Sequence, residues 1–132
     1  MQLISGYIKN HRGQTLVEFA LVIPWLILLV VGVMEFGLIL NQYMVVAEAA
    51  REGARSAALG GDDATVTGVV KGAVPSPGMD SNQIKVTVVP ATRTRGNSVT
   101  VTVTYPLKTI TKMMSGFFTQ GTVQGSATMR VE

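Results

Sequence analysis

The segment GQTLVEFALVIPWLILLVVGVMEFGLIL, residues 13–40, decides how this chain folds. From Phe19 to Met34 every residue is apolar or glycine, and the whole segment carries only two charges, Glu18 and Glu35. A helix of roughly 20 apolar residues crosses the hydrocarbon core of a bilayer. The segment therefore predicts a membrane-spanning helix. Pro24 is compatible with it, because a helix in lipid can satisfy the freed backbone groups locally.

The composition predicts one small domain beside this helix. Only 14% of the 132 residues are charged and 47% are apolar, with a mean hydropathy of +0.36, whereas a soluble domain carries about 25% charge. The net charge of +3 depends on Lys9 and Arg12, because residues 14–132 hold nine basic and eight acidic side chains. The charge therefore does not predict nucleic-acid binding. The sequence has no cysteine, so it predicts no disulfide and no thiolate chemistry.

The long helix is expected to continue beyond the apolar segment as far as Gly60-Gly61, a C-cap signal. Small residues recur there at a spacing of four in two rows, Ala49, Gly53, Ala57 and Ala50, Ala54, Ala58. Such rows let another backbone approach the helix closely. Two partners fit them: the rest of the same domain, which we favour, or a neighbouring copy of the chain.

Residues 61–132 predict a small α+β head. The segment DDATVTGVVKGAV predicts a short helix with Asp62 or Asp63 as its N-cap. Three segments with alternating apolar residues predict antiparallel strands, the first two joined as a hairpin: IKVTVV, SVTVTVTYP and TVQGSATMRVE. Helical spacing predicts a further helix in LKTITKMMSGFF, residues 107–118.

The sequence carries few residues that could do chemistry. The single histidine, His11, precedes the apolar helix, and no phosphate-binding glycine motif occurs. Asp62 and Asp63 are better explained as a helix cap than as a metal pair. Arg93 and Arg95 are better explained as a solvated turn than as phosphate ligands. We therefore predict a protein that is not an enzyme and that binds no cofactor and no metal.

Three interpretations compete for the N-terminal region. A secretory signal would use Ala47-Glu48-Ala49 as its cleavage pattern, but signal peptides run for only about 15–30 residues. A plain membrane anchor explains the apolar segment, yet it gives Glu18 no role, although a carboxylate in lipid is costly. A cleaved leader followed by a helix that assembles with others like it gives Glu18 a role.

The residues around Glu18 resemble a type IV prepilin processing site. This pattern has a basic leader with Arg12, then Gly13, four further residues, Glu18 and Phe19, and the apolar helix. The chain is also similar to the TadE-like family, the pseudopilins or minor pilins of the tight-adherence (Flp) branch of type IV pilus systems. Further segments carry this likeness: MEFG at 34–37, AAREGAR at 49–55, VTVTVTYPL at 99–107 and SATMRVE at 126–132.

The resemblance implies a division of the chain and a role for its first residues. Residues 1–13 would be a prepilin-type leader, 14–60 a transmembrane and assembly helix, and 61–132 an extracytoplasmic head. A prepilin peptidase would cut between Gly13 and Gln14. Glu18, with Phe19 beside it, would then act in assembly, pairing with the N-terminal ammonium of a neighbouring subunit.

Glu35 follows Glu18 by 17 residues in the sequence, roughly 25 Å along a helix. That distance predicts a position near the opposite membrane interface. There the side chain would either snorkel to the interface, which we slightly favour, or form a second interface between subunits.

The resemblance also implies partners and a location. The partners would be the prepilin peptidase, other pilin or pseudopilin subunits, the inner-membrane pilus assembly platform and the lipid bilayer. Lys9, His11 and Arg12 predict a cytoplasmic N-terminus, so the head of a single-pass inner-membrane protein would lie outside, or later in a surface pilus. Gln14 departs from the hydrophobic first residue of major pilins, which is often methylated, and glutamine can cyclise there. The alternative to a pilin-like subunit is a permanently anchored binding or adhesion module.

Overall fold

The structure, a computed structural model, describes residues 11–74, 78–107 and 121–132, with side chains from Gly13 onward. Two α-helices, one 3-10 turn and three strands follow in chain order: α1 (His11–Ala58), α2 (Asp63–Gly72), the turn Ser81–Gln83, β1 (Lys85–Val89), β2 (Ser98–Pro106) and β3 (Thr122–Arg130). The predicted α+β fold, a long apolar helix with a short helix and three antiparallel strands, is confirmed. The chain divides into two compact units, Met1–Phe36 and Gly37–Glu132.

The first unit contains the apolar part of α1, and its large side chains are exposed. Trp25 is 75% exposed, Leu16 72% and Phe19 65%. Pro24 lies inside the helix, as the sequence predicts. Within the described ranges one helix, Gly13–Ala58, is long and apolar enough to cross a membrane, and none of its most apolar window, of mean hydropathy 2.6, is buried.

The second unit, the head, is built on a sheet with the order β1-β2-β3, both pairs antiparallel. The register places Val86 of β1 opposite Val103 of β2, which faces Gly125 of β3. Because side chains alternate along a strand, β2 turns Val99, Val101, Val103 and Tyr105 to the core, where each is fully buried. The strict alternation in the sequence therefore predicted the buried face correctly.

The small residues of α1 lie in the head core. Ala49, Ala50, Ala54 and Ala57 are fully buried, and Gly53 is buried as well. A Cβ atom added at Gly53 would lie 2.6 Å from Cγ2 of Val70 in α2 and 3.1 Å from Cγ1 of Val101 in β2. The favoured explanation of the two rows is thus confirmed: they let the other elements of the same head approach α1 closely.

Strand β3 makes the second close approach to α1. A Cβ atom added at Gly125 would lie 2.9 Å from both Cα of Ala47 and the carbonyl oxygen of Val46. Both of these are backbone atoms, which side-chain rotation cannot move. Glycine is therefore required at this point of β3 by space rather than by backbone conformation.

The end of α1 has the geometry of a Schellman motif. Gly60 has a φ of +89°, and its N–H donates to the carbonyl of Ala57 at 3.2 Å, while the N–H of Gly61 donates to the carbonyl of Ser56 at 3.0 Å. The predicted glycine C-cap is therefore confirmed. The N–H of Glu132 donates to the carbonyl of Ala58 at 3.1 Å, which joins the end of the sequence to the end of this helix.

Strands β1 and β2 are connected through a turn. The N–H of Asn97 donates there to the carbonyl of Thr94 at 3.1 Å, and Gly96 has a φ of +90°. The helix predicted over residues 107–118 falls almost entirely on residues 108–120, which lie outside the described residues.

Candidate functional site at the start of the long helix

Gly13 and Gln14, the predicted processing site, both lie in helix α1, whose described residues start at His11. Nothing in His11-Arg12-Gly13 prevents a helical turn, since proline is absent. Both Gly13 and Gln14 are exposed, and a Cβ atom added at Gly13 would meet nothing within 4 Å. The bond between them therefore lies at an exposed part of the helix.

Gln14 and Glu18 are in contact. The side-chain Nε2 of Gln14 donates to Oε1 of Glu18 at 3.4 Å. Residues four apart share one face of a helix, so this pair follows directly from the spacing in the sequence. The contact brings together two of the residues that the sequence predicts to function in processing and assembly.

Glu18 is an exposed carboxylate in exposed apolar surroundings. Val17 beside it is 59% exposed, Phe19 65% and Leu21 68%. An ionised carboxylate offers about four acceptor positions, of which the Gln14 amide occupies one. In a lipid environment such a group needs an opposing charge, so the site is suited to accept a cation from another molecule.

Glu35, the predicted second interface, differs from Glu18 in its exposure. It is 4% exposed, whereas Met34 and Phe36 on either side are each 66% exposed. Glu35 is therefore buried, whereas Glu18 is exposed. Its part in a second interface stays a prediction.

The acids at the start of α2 have structural partners. Asp62 is the N-cap, and its Oδ1 accepts from the backbone N–H of Thr65 at 2.9 Å. Hydrogen bonds from Thr65 hold the pKa of the Asp62 carboxyl below its ordinary value. Within the part of the chain that the structure describes, no group of three or more His, Cys, Asp or Glu residues is arranged to hold a metal ion.

The structure differs from the sequence interpretation in the exposure of Arg93. Its side chain is only 9% exposed, and its Nη2 donates to Oδ1 of Asp63, 30 residues earlier in the chain. The prediction of a solvated Arg93 is therefore wrong, because the turn folds back towards the start of α2. Arg95, two residues on, is exposed as expected. Local sequence carries no signal for a pair so far apart.

Comparison with known protein families gives a match over the part of the chain that contains this site. The family described as TadE-like protein matches residues 13–55, which confirms the predicted resemblance over the apolar helix and over the small-residue rows as far as Ala54. The match begins at Gly13 and includes both Glu18 and Glu35. No curated protein and no solved structure matches the chain.

Proposed function

We propose that this chain, whose residues 13–55 match the TadE-like family, is a pilin-like structural subunit of a Tad (Flp) type IV pilus system. A prepilin peptidase removes residues 1–13, and the mature subunit takes part in assembly of the pilus. The observation that carries the proposal is Glu18, an exposed acid one helical turn after Gln14 on an uncovered apolar helix. Its role is structural, and it acts by association rather than by catalysis.

Cleavage creates the charge that Glu18 needs. The cut between Gly13 and Gln14 leaves an ammonium group on Gln14, at the same end of the helix as Glu18. In an assembled bundle the ammonium of one subunit approaches the Glu18 carboxylate of its neighbour. Removing one member of such a buried pair costs about 3–5 kcal/mol, because the other charge is left uncompensated.

The exposed helix supports membrane residence before assembly. Its large apolar side chains are exposed in the part of the first unit that the structure describes, and lipid covers such a surface in a membrane. Lys9, His11 and Arg12 keep the N-terminus in the cytoplasm, where the peptidase acts, and the head lies outside. The inner-membrane assembly platform then moves the subunit from lipid to its pilin partners, which replace lipid around the helix.

Substitution of Glu18 tests the proposal, because cleavage and assembly respond differently. In cells with an active prepilin peptidase, the Glu18→Ala protein is expected to start at Gln14 like the wild type. Its incorporation into filaments should fall by more than about a hundredfold, as expected for loss of a buried partner. Intact-mass analysis of the extracted protein and quantification in sheared filaments give the two readouts.

Glu52→Ala is the matched control, because Glu52 is another exposed acid on α1 that lies in the head. This variant should be both cleaved and incorporated normally. Normal incorporation of Glu18→Ala would contradict the assembly role. That result would favour the alternative, a permanently anchored adhesion module, for which the exposed Arg95 is a candidate contact.

A further inference from the structure

Gln14 is a chemically labile residue once it becomes the first residue of the chain. The free α-amine of an N-terminal glutamine can attack its own side-chain carbon Cδ. A bond forms between the α-nitrogen and Cδ, the bond between Cδ and Nε2 breaks, and Nε2 leaves as ammonia. The product, pyroglutamate, is a neutral lactam that cannot carry the N-terminal charge. No oxidant or co-reactant takes part in the reaction.

From the contact between Gln14 and Glu18 we infer that Glu18 protects the mature N-terminus from this cyclisation, an inference that rests on the proposed cleavage after Gly13. Ring closure requires the Gln14 side chain to fold back so that Cδ meets its own backbone nitrogen. In the structure the side chain instead extends along the helix, with Nε2 donating to Oε1 of Glu18 at 3.4 Å. A side chain held by a residue four positions later cannot close the ring at the same time.

Both members of the contact survive the proposed cut. Gln14 and Glu18 lie on the mature side of the bond, so cleavage leaves their spacing unchanged. The side-chain contact does not use the backbone N–H that becomes the amine. Removal of residues 1–13 therefore produces a reactive N-terminus whose side chain is already held away from it.

One carboxylate can serve both contacts. The Gln14 amide uses Oε1 of Glu18, and Oε2 supplies further acceptor positions for an ammonium from a neighbouring subunit. Protection of the N-terminus also preserves the charge on which that pairing depends. Glu18 is then a positioning residue for Gln14 as well as the acceptor for a neighbour.

The rate of ammonia loss from the mature full-length chain tests the inference. The protein is co-expressed with an active prepilin peptidase, extracted in detergent and incubated, and the N-terminal peptide is followed by mass spectrometry. A side-chain contact of this kind stabilises a helix by about 0.2–0.5 kcal/mol in water, so Glu18→Ala should cyclise about 1.4- to 2.3-fold faster than wild type. Glu18→Gln keeps an acceptor at the same position and should fall between them.

Two control variants test whether the ammonia loss comes from Gln14 and whether it depends on Glu18. Glu52→Ala should cyclise at the wild-type rate, and Gln14→Met, which cannot form the ring, should show no loss of ammonia. An equal or slower rate in Glu18→Ala overturns the inference, and a slower rate would mean that the carboxylate assists ring closure. A wild-type chain that starts at Gln14 but is fully cyclised on extraction also overturns it while leaving the cleavage intact. A chain that starts at Met1 instead overturns the proposed function, through a different mass.

Discussion

The two parts of helix α1 differ in the size and in the burial of their apolar side chains. In the first unit the helix carries large side chains that are exposed, such as Trp25 at 75% and Leu16 at 72%. In the head the same helix carries small residues that are buried, such as Ala50 and Ala54 at 0%. Among the described residues, one helix therefore has an apolar surface that packs inside the chain and another that is exposed.

This difference indicates where the packing partners of each part of α1 lie. Small residues suit a surface that meets other backbones at close range, and the head supplies them from α2, β2 and β3. Large, uniformly apolar side chains suit a fluid or changing partner, which in the proposed function is first lipid and then other helices. Monomeric soluble proteins rarely expose apolar patches of this extent, so the partner of the first part is expected outside the chain.

The largest expected effect comes from placing charge on the exposed apolar part. Arginine at the centre of a membrane helix costs about 2.5–3.5 kcal/mol, so Leu26→Arg with Leu29→Arg costs about 5–7 kcal/mol. The apolar side chains between Phe19 and Met34 together favour insertion by about 3–7 kcal/mol. The double variant should therefore lose most of its membrane insertion, measured as the fraction that remains in alkaline-washed membranes.

Two exposed apolar residues of the head provide the control for that variant. Leu59 is 69% exposed and Val89 is 59% exposed, close to the values for Leu26 and Leu29. The double variant Leu59→Arg with Val89→Arg should remain in the membrane like wild type. Equal loss from both double variants would break the distinction between the two parts of the chain.

Tyr105 tests the internal partner of the head. Its ring is fully buried, and its hydroxyl accepts from the backbone N–H of Asp80 at 3.1 Å. Tyr105→Ala should destabilise the head by about 3–5 kcal/mol, as for other large aromatic truncations. Tyr105→Phe, which keeps the ring, should cost about 1 kcal/mol. Denaturant unfolding of the detergent-solubilised full chain measures both, and equal losses would mean that the hydroxyl rather than the ring dominates.

Gly125 tests the close approach between β3 and α1. Gly125→Ala places a Cβ atom 2.9 Å from backbone atoms of Ala47 and Val46, so the backbone must shift, at a cost of about 1–3 kcal/mol. Gly68→Ala in α2 meets nothing within 4 Å and should be neutral or stabilising by up to about 1 kcal/mol. The same unfolding assay distinguishes them, and a neutral Gly125→Ala would show that the packing is looser than described.

The smallest expected effect concerns pH. The pKa of Asp62 is lowered in the folded head by hydrogen bonds from Thr65, so its contribution to stability is present above its unfolded value of about 4. That contribution is lost as the pH falls through the lower, folded value. Asp62→Asn should therefore show a flatter decline of Tm with falling pH than wild type. Parallel declines of Tm in the two proteins would mean that Asp62 does not contribute to the acid sensitivity of the head.

The sequence predicts features that depend on near neighbours and repetition. The alternation of Val99, Val101 and Val103 identifies the buried face of β2, and Gly60-Gly61 identifies the end of α1. The spacing of four between Gln14 and Glu18 likewise places both on one helix face. These features follow from the periods of helix and strand, which the chain carries locally.

Features that depend on distant residues were not predictable in the same way. Arg93 reaches Asp63 across 30 positions, and Gly125 is needed only because α1 passes against β3. Both depend on how the elements pack, which no short segment encodes.

The central claim is that other pilin-like subunits cover the exposed part of α1 after assembly, and a photo-crosslinking residue in place of Trp25 tests it most directly. In cells with a working pilus assembly system, crosslinking is expected to give adducts with pilin-like proteins, and in cells without it adducts with lipid alone. The same residue in place of Leu59, in the head, serves as the control. Lipid adducts alone from position 25 in cells that assemble pili would contradict the account.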